Sequence, residues 1–397
     1  AQRRRRIRHS GMGAEKMSDK KYWIWLSQAL GAGARVDEIL SAFPEPEKLY
    51  FADDAERMTA GVFTRRQLER LNKTKISDAE TAIRVCAKNG WEICVPTDGD
   101  YPEELKRLAD MPLVLYVDGD ISRIKDKISI GIVGTRQPSY DSTCIARTVA
   151  GDLASAGAAV ISGGALGIDS AAHEGAVAAG GVTVCVMGCG LGCDYLRDNE
   201  PLRRRIRETG ALISEFTPLS SASRTTFPIR NRIISGISHG VLVVEAGEKS
   251  GSLITAKRAS EQGREVFAIP GSVLASAYMG VNRLIMDGAR AVTNAADILA
   301  PYAAMYPDRV EIARIRVTKP DTQPPKQAKP VKIKKEPPSA LDRETLTVYN
   351  LFGEEPLHPD DMAAQSGLGP SKVLSALMRL ELLGLIEQTD GRNYILK

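Results

Sequence analysis

Arginine, asparagine, serine and threonine recur beside short apolar runs in Phe227–Gly271, which opens FPIRNRIISG and continues from Val241 as VLVVEAGEKSGSLITAKRASEQGREVFAIPG. Arg230 and Arg232, joined by Arg136 from the earlier IVGTR, carry planar guanidinium forks that pair with two phosphate oxygens at once. Glu245–Ser252 reads as a turn and Leu253–Gln262 as a helix, with Thr255 in its first turn. Ser250-Gly251-Ser252 then presents backbone N–H groups that a first helical turn cannot pair, at the positive end of the helix dipole, where phosphate binds readily. A second turn, Ser162-Gly163-Gly164-Ala165-Leu166-Gly167-Ile168-Asp169, has glycines that permit positive φ and close approach of backbone to a ligand. Ser162, Gly163, Gly164, Gly167 and Asn231 complete the candidate phosphate site. Two alternatives stand beside this reading: the arginines form internal ion pairs with Asp169, Glu215 or Glu245, and Phe227, which can stack on a base, is instead a buried sheet-edge side chain. His173 follows the glycine turn with no nucleophile beside it, so a structural hydrogen bond to that loop is expected in place of acid–base work.

Other chemistries lack their parts. The glycine spacing is not Gly-x-Gly-x-x-Gly and no acidic residue is placed for a ribose, which removes support for a dinucleotide cofactor. No Gly-x-x-x-x-Gly-Lys-Ser/Thr loop is present, which argues against a phosphate-loop ATPase. Cys189 and Cys193 have no second Cys or His pair to complete a zinc site. No cofactor, metal or catalytic residue is therefore expected.

The elements that must hold these residues alternate. Strands are expected at Ile128–Val133, Ala158–Ile161, Val182–Met187, Ala211–Ile213, Val241–Val244 and Val266–Ile269, with helices at Thr143–Gly157 and Ala171–Ala179. Such repetition predicts an α/β fold, a doubly wound parallel sheet with an extended Rossmann-like core, whose ligands sit beyond the carboxyl ends of the strands. Gly134–Arg136, Ser162–Asp169, Glu245–Ser252 and Pro270-Gly271 all fall there.

At 397 residues, 43% of them hydrophobic, the chain is long enough for two or three domains. Five segments are expected: a disordered basic arm (1–20), an all-α N-terminal module (21–97), the Rossmann-like core (98–302), a Lys/Pro-rich linker (303–340) and a C-terminal winged helix (341–397). The Gly31-Ala32-Gly33 turn resembles a helix-hairpin-helix, whose amides touch DNA backbone, although plain helical packing is the favoured account of it. Arg3–Arg8 lacks the apolar core of a signal peptide and reads as an arm or an extension upstream of a start at Met12 or Met17. The winged helix rests on helices at Glu344–Leu351, Asp360–Ala364 and Ser371–Gly384 and a hairpin about Asp390-Gly391. Its recognition helix offers only Lys372 and Arg379, so protein contact fits it as well as DNA reading, and a transcription regulator fits it poorly. The net charge of +4 demands no nucleic acid. Gly175–Cys193, the longest weakly apolar run, reads as helix end, turn and strand, so no membrane span is expected. Six cysteines without a regular framework suggest reduced thiols in the cytoplasm.

Taken together, IVGTR at 132–136, SGGALGIDSAAH at 162–173, FPIRNRIISG at 227–236, VVEAGEKSGSLITA at 243–256, QGREVFAIPG at 262–271 and NRLIMDGA at 282–289 resemble the DNA-processing protein A family (DprA, also called Smf). The resemblance implies a cytoplasmic homodimer that binds and protects single-stranded DNA arriving during natural transformation and loads the RecA recombinase on it, a mediator and not an enzyme. Carried over by motif, the family's phosphate pocket falls on Arg136, Ser162, Gly163, Gly164, Phe227, Arg230, Asn231, Arg232, Ser250, Gly251 and Ser252. The chain departs from the family at Tyr195-Leu196, where Tyr-Pro is usual, and its dimer and recombinase contacts show no motif. The competing class is a nucleotide-processing hydrolase, resembling phosphoribohydrolases with a Pro-Gly-Gly-x-Gly-Thr loop and a catalytic Glu. This chain has only Pro270-Gly271-Ser272, with Glu245 at a strand end where such a carboxylate would lie.

Overall fold

A computed structural model describes residues 12–195, 199–315, 341–352, 357–389 and 393–396. The chain divides into two compact units near residue 322. In the first, nine strands form one mixed sheet: β1 (Glu92–Cys94), β2 (Leu115–Gly119), β3 (Ser129–Val133), β4 (Ala159–Ser162), β5 (Thr183–Val186), β6 (Ala211–Ser214), β7 (Gly240–Val243), β8 (Glu265–Ala268) and β9 (Arg290–Ala291). Their order is β1-β2-β6-β5-β4-β3-β7-β8-β9. The strands from β6 to β9 in this order run parallel, whereas β1 with β2 and β2 with β6 are antiparallel. The wholly parallel expectation is corrected at that edge. Three strands lie outside the expected set: β1 and β9, which are too short to show a period, and β2 in the Leu113–Val117 run.

Every residue of β3 through β7 is buried, and alternation assigns each side chain to a layer. Ile130, Ile132, Leu242 and Val244 face the helices Tyr140–Ser155, Ile168–Ala178 and Ala295–Met305. Val133, Val241 and Val243 face the helices Thr226–Ile237 and Ser252–Glu261. From β3 the chain winds outward through β4, β5 and β6, then returns to β7 on the other side. The carboxyl ends of β3 and β7 therefore flank the point where the winding reverses, and a crevice opens there.

Six helices between Met12 and Asn89 pack Trp25, Leu26, Leu49 and Leu71 against Ile93, Val95, Val114 and Tyr116 from β1, β2 and their flanks. The first begins at Met12, so residues 12–20 of the expected arm are helical, and residues 1–11 lie outside the described residues. The Gly31-Ala32-Gly33 turn packs on protein: Arg70 donates to Leu30 O at 2.9 Å, and Gly33 N–H lies 3.5 Å from Glu215 Oε1. A Cβ at Gly33 would lie 3.1 Å from Ile229 Cγ2 and 3.6 Å from Arg232 Nε on the helix Thr226–Ile237. Residues 303–315 of the expected linker include the end of the helix Ala295–Met305 and a 3-10 turn, Ile312–Arg314; residues 316–340 lie outside the described residues.

The second unit is a winged helix. Helices Arg343–Leu351, Pro359–Ser366 and Pro370–Leu382 enclose Val348, Tyr349, Met362, Val373, Leu377 and Leu380, followed by the antiparallel pair β10 (Ile386–Thr389) and β11 (Asn393–Leu396). The Asp390-Gly391 turn lies outside the described residues. Lys372 pairs with Glu344 at 2.5 Å and Arg379 with Asp342, so both cations of the recognition helix are neutralised.

Arg232 is the deepest ion pair of the first unit, with Nη2 at 2.6 Å from both Glu215 oxygens and Nε at 3.6 Å from Asp110. Arg232→Ala leaves a buried carboxylate uncompensated and should cost about 3–5 kcal/mol. Trp23, Trp25 and Trp91 all lie in this unit, so urea unfolding followed by tryptophan fluorescence reports it alone. Arg232→Ala combined with Glu215→Ala should recover part of the loss; an unchanged single-variant midpoint would refute the pair's structural role.

Candidate functional site

The crevice at the ends of β3 and β7 has a volume of about 470 Å³. Gly134, Thr135 and Arg136 follow β3, Ala165 and Asp169 come from the glycine turn after β4, and Ser250–Ser252 with Thr255 come from the start of the helix Ser252–Glu261. The helix Thr226–Ile237 forms the remaining wall. Its start is fixed by two reciprocal bonds, Ser223 Oγ accepting from Thr226 N–H at 3.2 Å and Thr226 Oγ1 from Ser223 N–H at 3.1 Å.

Helical spacing then decides which side chains enter. Phe227, Arg230, Asn231 and Ile234, at i, i+3, i+4 and i+7, share the cleft face. Arg232 lies about 200° around the helix from Arg230 and points at Glu215. The assignment of Arg232 to phosphate is thereby corrected to the internal pair, because its side chain is buried against Glu215 and does not line the cleft.

Arg230 is buried too, yet it forms the floor of the cleft. Its Nη1 donates to Gly163 O at 2.7 Å and to Val186 O, and its Nε to Asn231 Oδ1 at 3.2 Å. Burial lowers its pKa and raises that of Asp169, while the opposite charges of the two residues counter both shifts. A Cβ on Gly163 would lie 2.7 Å from both Arg230 Nη2 and Asp169 Oδ2, so only glycine lets the two groups meet the loop. Gly164 (φ +66°) and Gly167 (φ +82°) do adopt left-handed backbone. Their close approach is to Cys185 Sγ and Thr135 O, so these glycines pack the protein's own turns and do not line the crevice. Ser162 is likewise internal, its Oγ donating to Ile132 O at 2.6 Å across β4 and β3.

Arg136 is exposed, with its guanidinium carbon 5.1 Å from the Phe227 ring centroid. Arg224, exposed on the turn before the helix, is the lining cation that sequence reading missed. It stands alone in a serine- and threonine-rich turn, and its nearness to FPIRNR was the one available signal. Among the described residues no carboxylate pairs with either arginine. Ser250 Oγ and Ser252 Oγ lie 2.8 Å apart, and Asn231 Nδ2 donates to Gly251 O at 3.4 Å. Two free guanidinium groups, an aromatic face, hydroxyls and a helix N-terminus thus converge on one cleft, a combination suited to phosphate esters that carry a ring.

Glu245 turns away from this chemistry: its Oε2 accepts from Ser139 N–H at 3.0 Å and Oγ–H at 2.7 Å. His173 bonds Thr183 Oγ1 on β5 at 2.8 Å, not the glycine loop as expected. Among the described residues no group of three or more His, Cys, Asp or Glu side chains is placed to hold a metal, and no helix is long and apolar enough to cross a membrane.

A Rossmann-like sheet with a cationic, aromatic-walled cleft at its reversal point, an N-terminal helical cover and a separate winged helix define the class. The model of the DNA recombination-mediator protein A family matches residues 92–303, and that of the DprA winged helix domain matches 332–392. Protein Smf of Synechocystis sp. is 31% identical over 402 residues, spanning 95% of this chain and 98% of its own. DNA processing protein DprA of Bacillus subtilis is 42% identical over 198 residues, 50% of this chain and 67% of its own. The crystal structure of DprA from Streptococcus pneumoniae aligns with a TM-score of 0.61 at 32% identity, over 70% of this chain and 97% of that one. A DprA structure from Helicobacter pylori, described for its single-stranded-DNA-binding mode, aligns at 0.50 and 28%, over 54% and 97%. The chain belongs to the DNA recombination-mediator protein A family.

Burial holds the His173 pKa down at about 3. The native imidazole stays neutral while an unfolded one protonates near ~6.5, so its contribution to stability is complete above ~6.5 and is lost as pH falls toward the native value. The His173 ring protons should show no titration by NMR between pH ~8 and ~5; a midpoint in that range would contradict this packing.

Proposed function

We propose that this protein is a single-stranded-DNA-binding recombination mediator, and that Arg136, Arg224, Phe227, Asn231, Ser250, Gly251, Ser252 and Thr255 form its contact with the strand, with Arg230, Gly163, Gly164, Gly167 and Ser162 as supports. The observation that carries the reading is the Arg136 guanidinium over the Phe227 ring inside a cleft of about 470 Å³. A cation beside an aromatic face holds backbone and base of one nucleotide together, and neither contact depends on which base is present. The Helicobacter pylori relative, described as binding single strands, supports the same choice. The finer reading follows the family: the protein protects incoming DNA, loads RecA during natural transformation, and acts as a homodimer in the cytoplasm without catalysing a reaction. Engagement of Glu245 by Ser139 favours a mediator over a nucleotide-processing hydrolase, whose carboxylate must reach substrate.

Titration of labelled oligonucleotides across salt concentrations tests this directly. Single strands should bind more tightly than duplexes, without ATP or metal, and log K should fall linearly with log salt. Arg136→Ala and Arg224→Ala should each weaken binding alike across sequences and lower the salt slope by about one. Arg136→Lys should restore charge but not the planar stack. Equal affinity for duplex, or nucleotide turnover abolished by Glu245→Gln, would sink the reading. Loading is tested separately, as faster RecA filament nucleation on strands already coated with this protein.

A further inference from the structure

Cys189 and Cys193 stand in the turn that leaves β5, outside the cleft. Cys193 packs against the apolar cluster in which Cys189 is buried. Cys193 N–H donates to Gly190 O at 3.0 Å, folding the residues between them into one tight turn. Cys189 is buried and Cys193 half-buried, so Cys193 is the more accessible of the two.

This same turn holds Phe227 from both ends. At Gly188 a Cβ would lie 2.6 Å from Phe227 Cδ1, so the ring rests on bare backbone. At the other end the Tyr195 ring centroid is 5.3 Å from that of Phe227. Between these contacts the turn is pinned, Gly190 N–H donating to Ser220 O and Gly192 N–H to Pro218 O, both at 2.9 Å. A covalent bond between the sulfurs draws them to about 2.0 Å, well inside the contact distance of two unbonded sulfurs. With the backbone pinned at its middle, the free movement falls on Tyr195, two residues beyond Cys193.

We propose that Cys189 and Cys193 are an oxidant-sensitive pair whose reversible disulfide shifts Tyr195 off Phe227 and weakens single-strand binding. The effect on binding rests on the single-strand reading given above; the disulfide does not. The oxidant is a hydroperoxide. The Cys193 sulfur attacks its distal oxygen, the O–O bond breaks, and a sulfenic acid forms with release of water or an alcohol. The Cys189 sulfur then attacks the Cys193 sulfur, the S–O bond breaks, and the departing hydroxide takes the Cys189 proton as water. Two electrons pass from the two thiols to the peroxide, and a dithiol reverses the bond by exchange. Burial pushes the Cys189 thiol up to about 12, which makes Cys193 the first to react.

The test uses the full chain, fully reduced or treated with hydrogen peroxide and freed of excess reagent. Tryptic peptide mapping of segment 148–197 should show the loss of two hydrogens confined between positions 189 and 193, excluding Cys185. Oxidised protein should bind labelled oligothymidylate about tenfold more weakly, a loss in the range of one base-on-ring stack. Dithiothreitol should restore it. Cys193→Ser and, as a second removal of the pair, Cys189→Ala should bind like reduced protein and ignore peroxide. Absence of the 189–193 linkage, or a linkage that leaves affinity unchanged, overturns the proposal. Failure of the reduced protein to bind any single strand fells the functional reading instead, and the disulfide then stands or falls on the peptide map.

Discussion

The cleft is built against one buried guanidinium. Arg230 reaches from its helix to the carbonyls of Gly163 and Val186, the chain ends of β4 and β5, and so ties three segments that are distant in sequence. Taking a cation out of water costs several kcal/mol, offset here by bonds to charged-group donors worth about 1.5–3 kcal/mol each and by the nearby Asp169. Because the helix cannot rotate without breaking those bonds, Arg230 fixes its phase. Phe227 and Asn231 follow into the cleft, and Arg232 follows out of it.

Arg232 secures the same helix from the opposite side through Glu215, against which the Gly31-Ala32-Gly33 turn is seated. Two buried cations about 200° apart therefore act as opposing anchors, and the exposed pair, Arg136 and Arg224, is the one proposed for ligand. This division separates stiffness from contact. A wall held in place before the ligand arrives loses little further freedom on binding, which favours affinity without demanding a base sequence.

Much of this was legible from residues alone. The β-branched runs of β3 to β8 marked the parallel strands, since strands covered on both faces read as continuous apolar stretches. The polar turns at their ends marked the cleft. What sequence leaves open is orientation: without its helical phase, FPIRNRIISG does not show that Arg230 reaches Gly163 while Arg232 turns to Glu215. The glycines of Ser162–Asp169 were matched to a ligand because sequence shows that a glycine is needed but not what approaches it; here it is Arg230, Cys185 and Thr135. Arg224 was passed over because a lone arginine in a hydroxyl-rich turn has no periodicity.

The antiparallel edge has a consequence for where the protein can be divided. β1 lies before the expected core boundary at residue 98, yet it closes the sheet beside β2 and shares its apolar neighbours with the N-terminal helices. A fragment starting at Tyr101 would strip β2 of its outer partner and bare a row of unpaired N–H and C=O groups beside Val114 and Tyr116, an open template for another strand. The helical cover thus serves as an edge guard for the sheet, and the smallest self-contained core begins before Glu92.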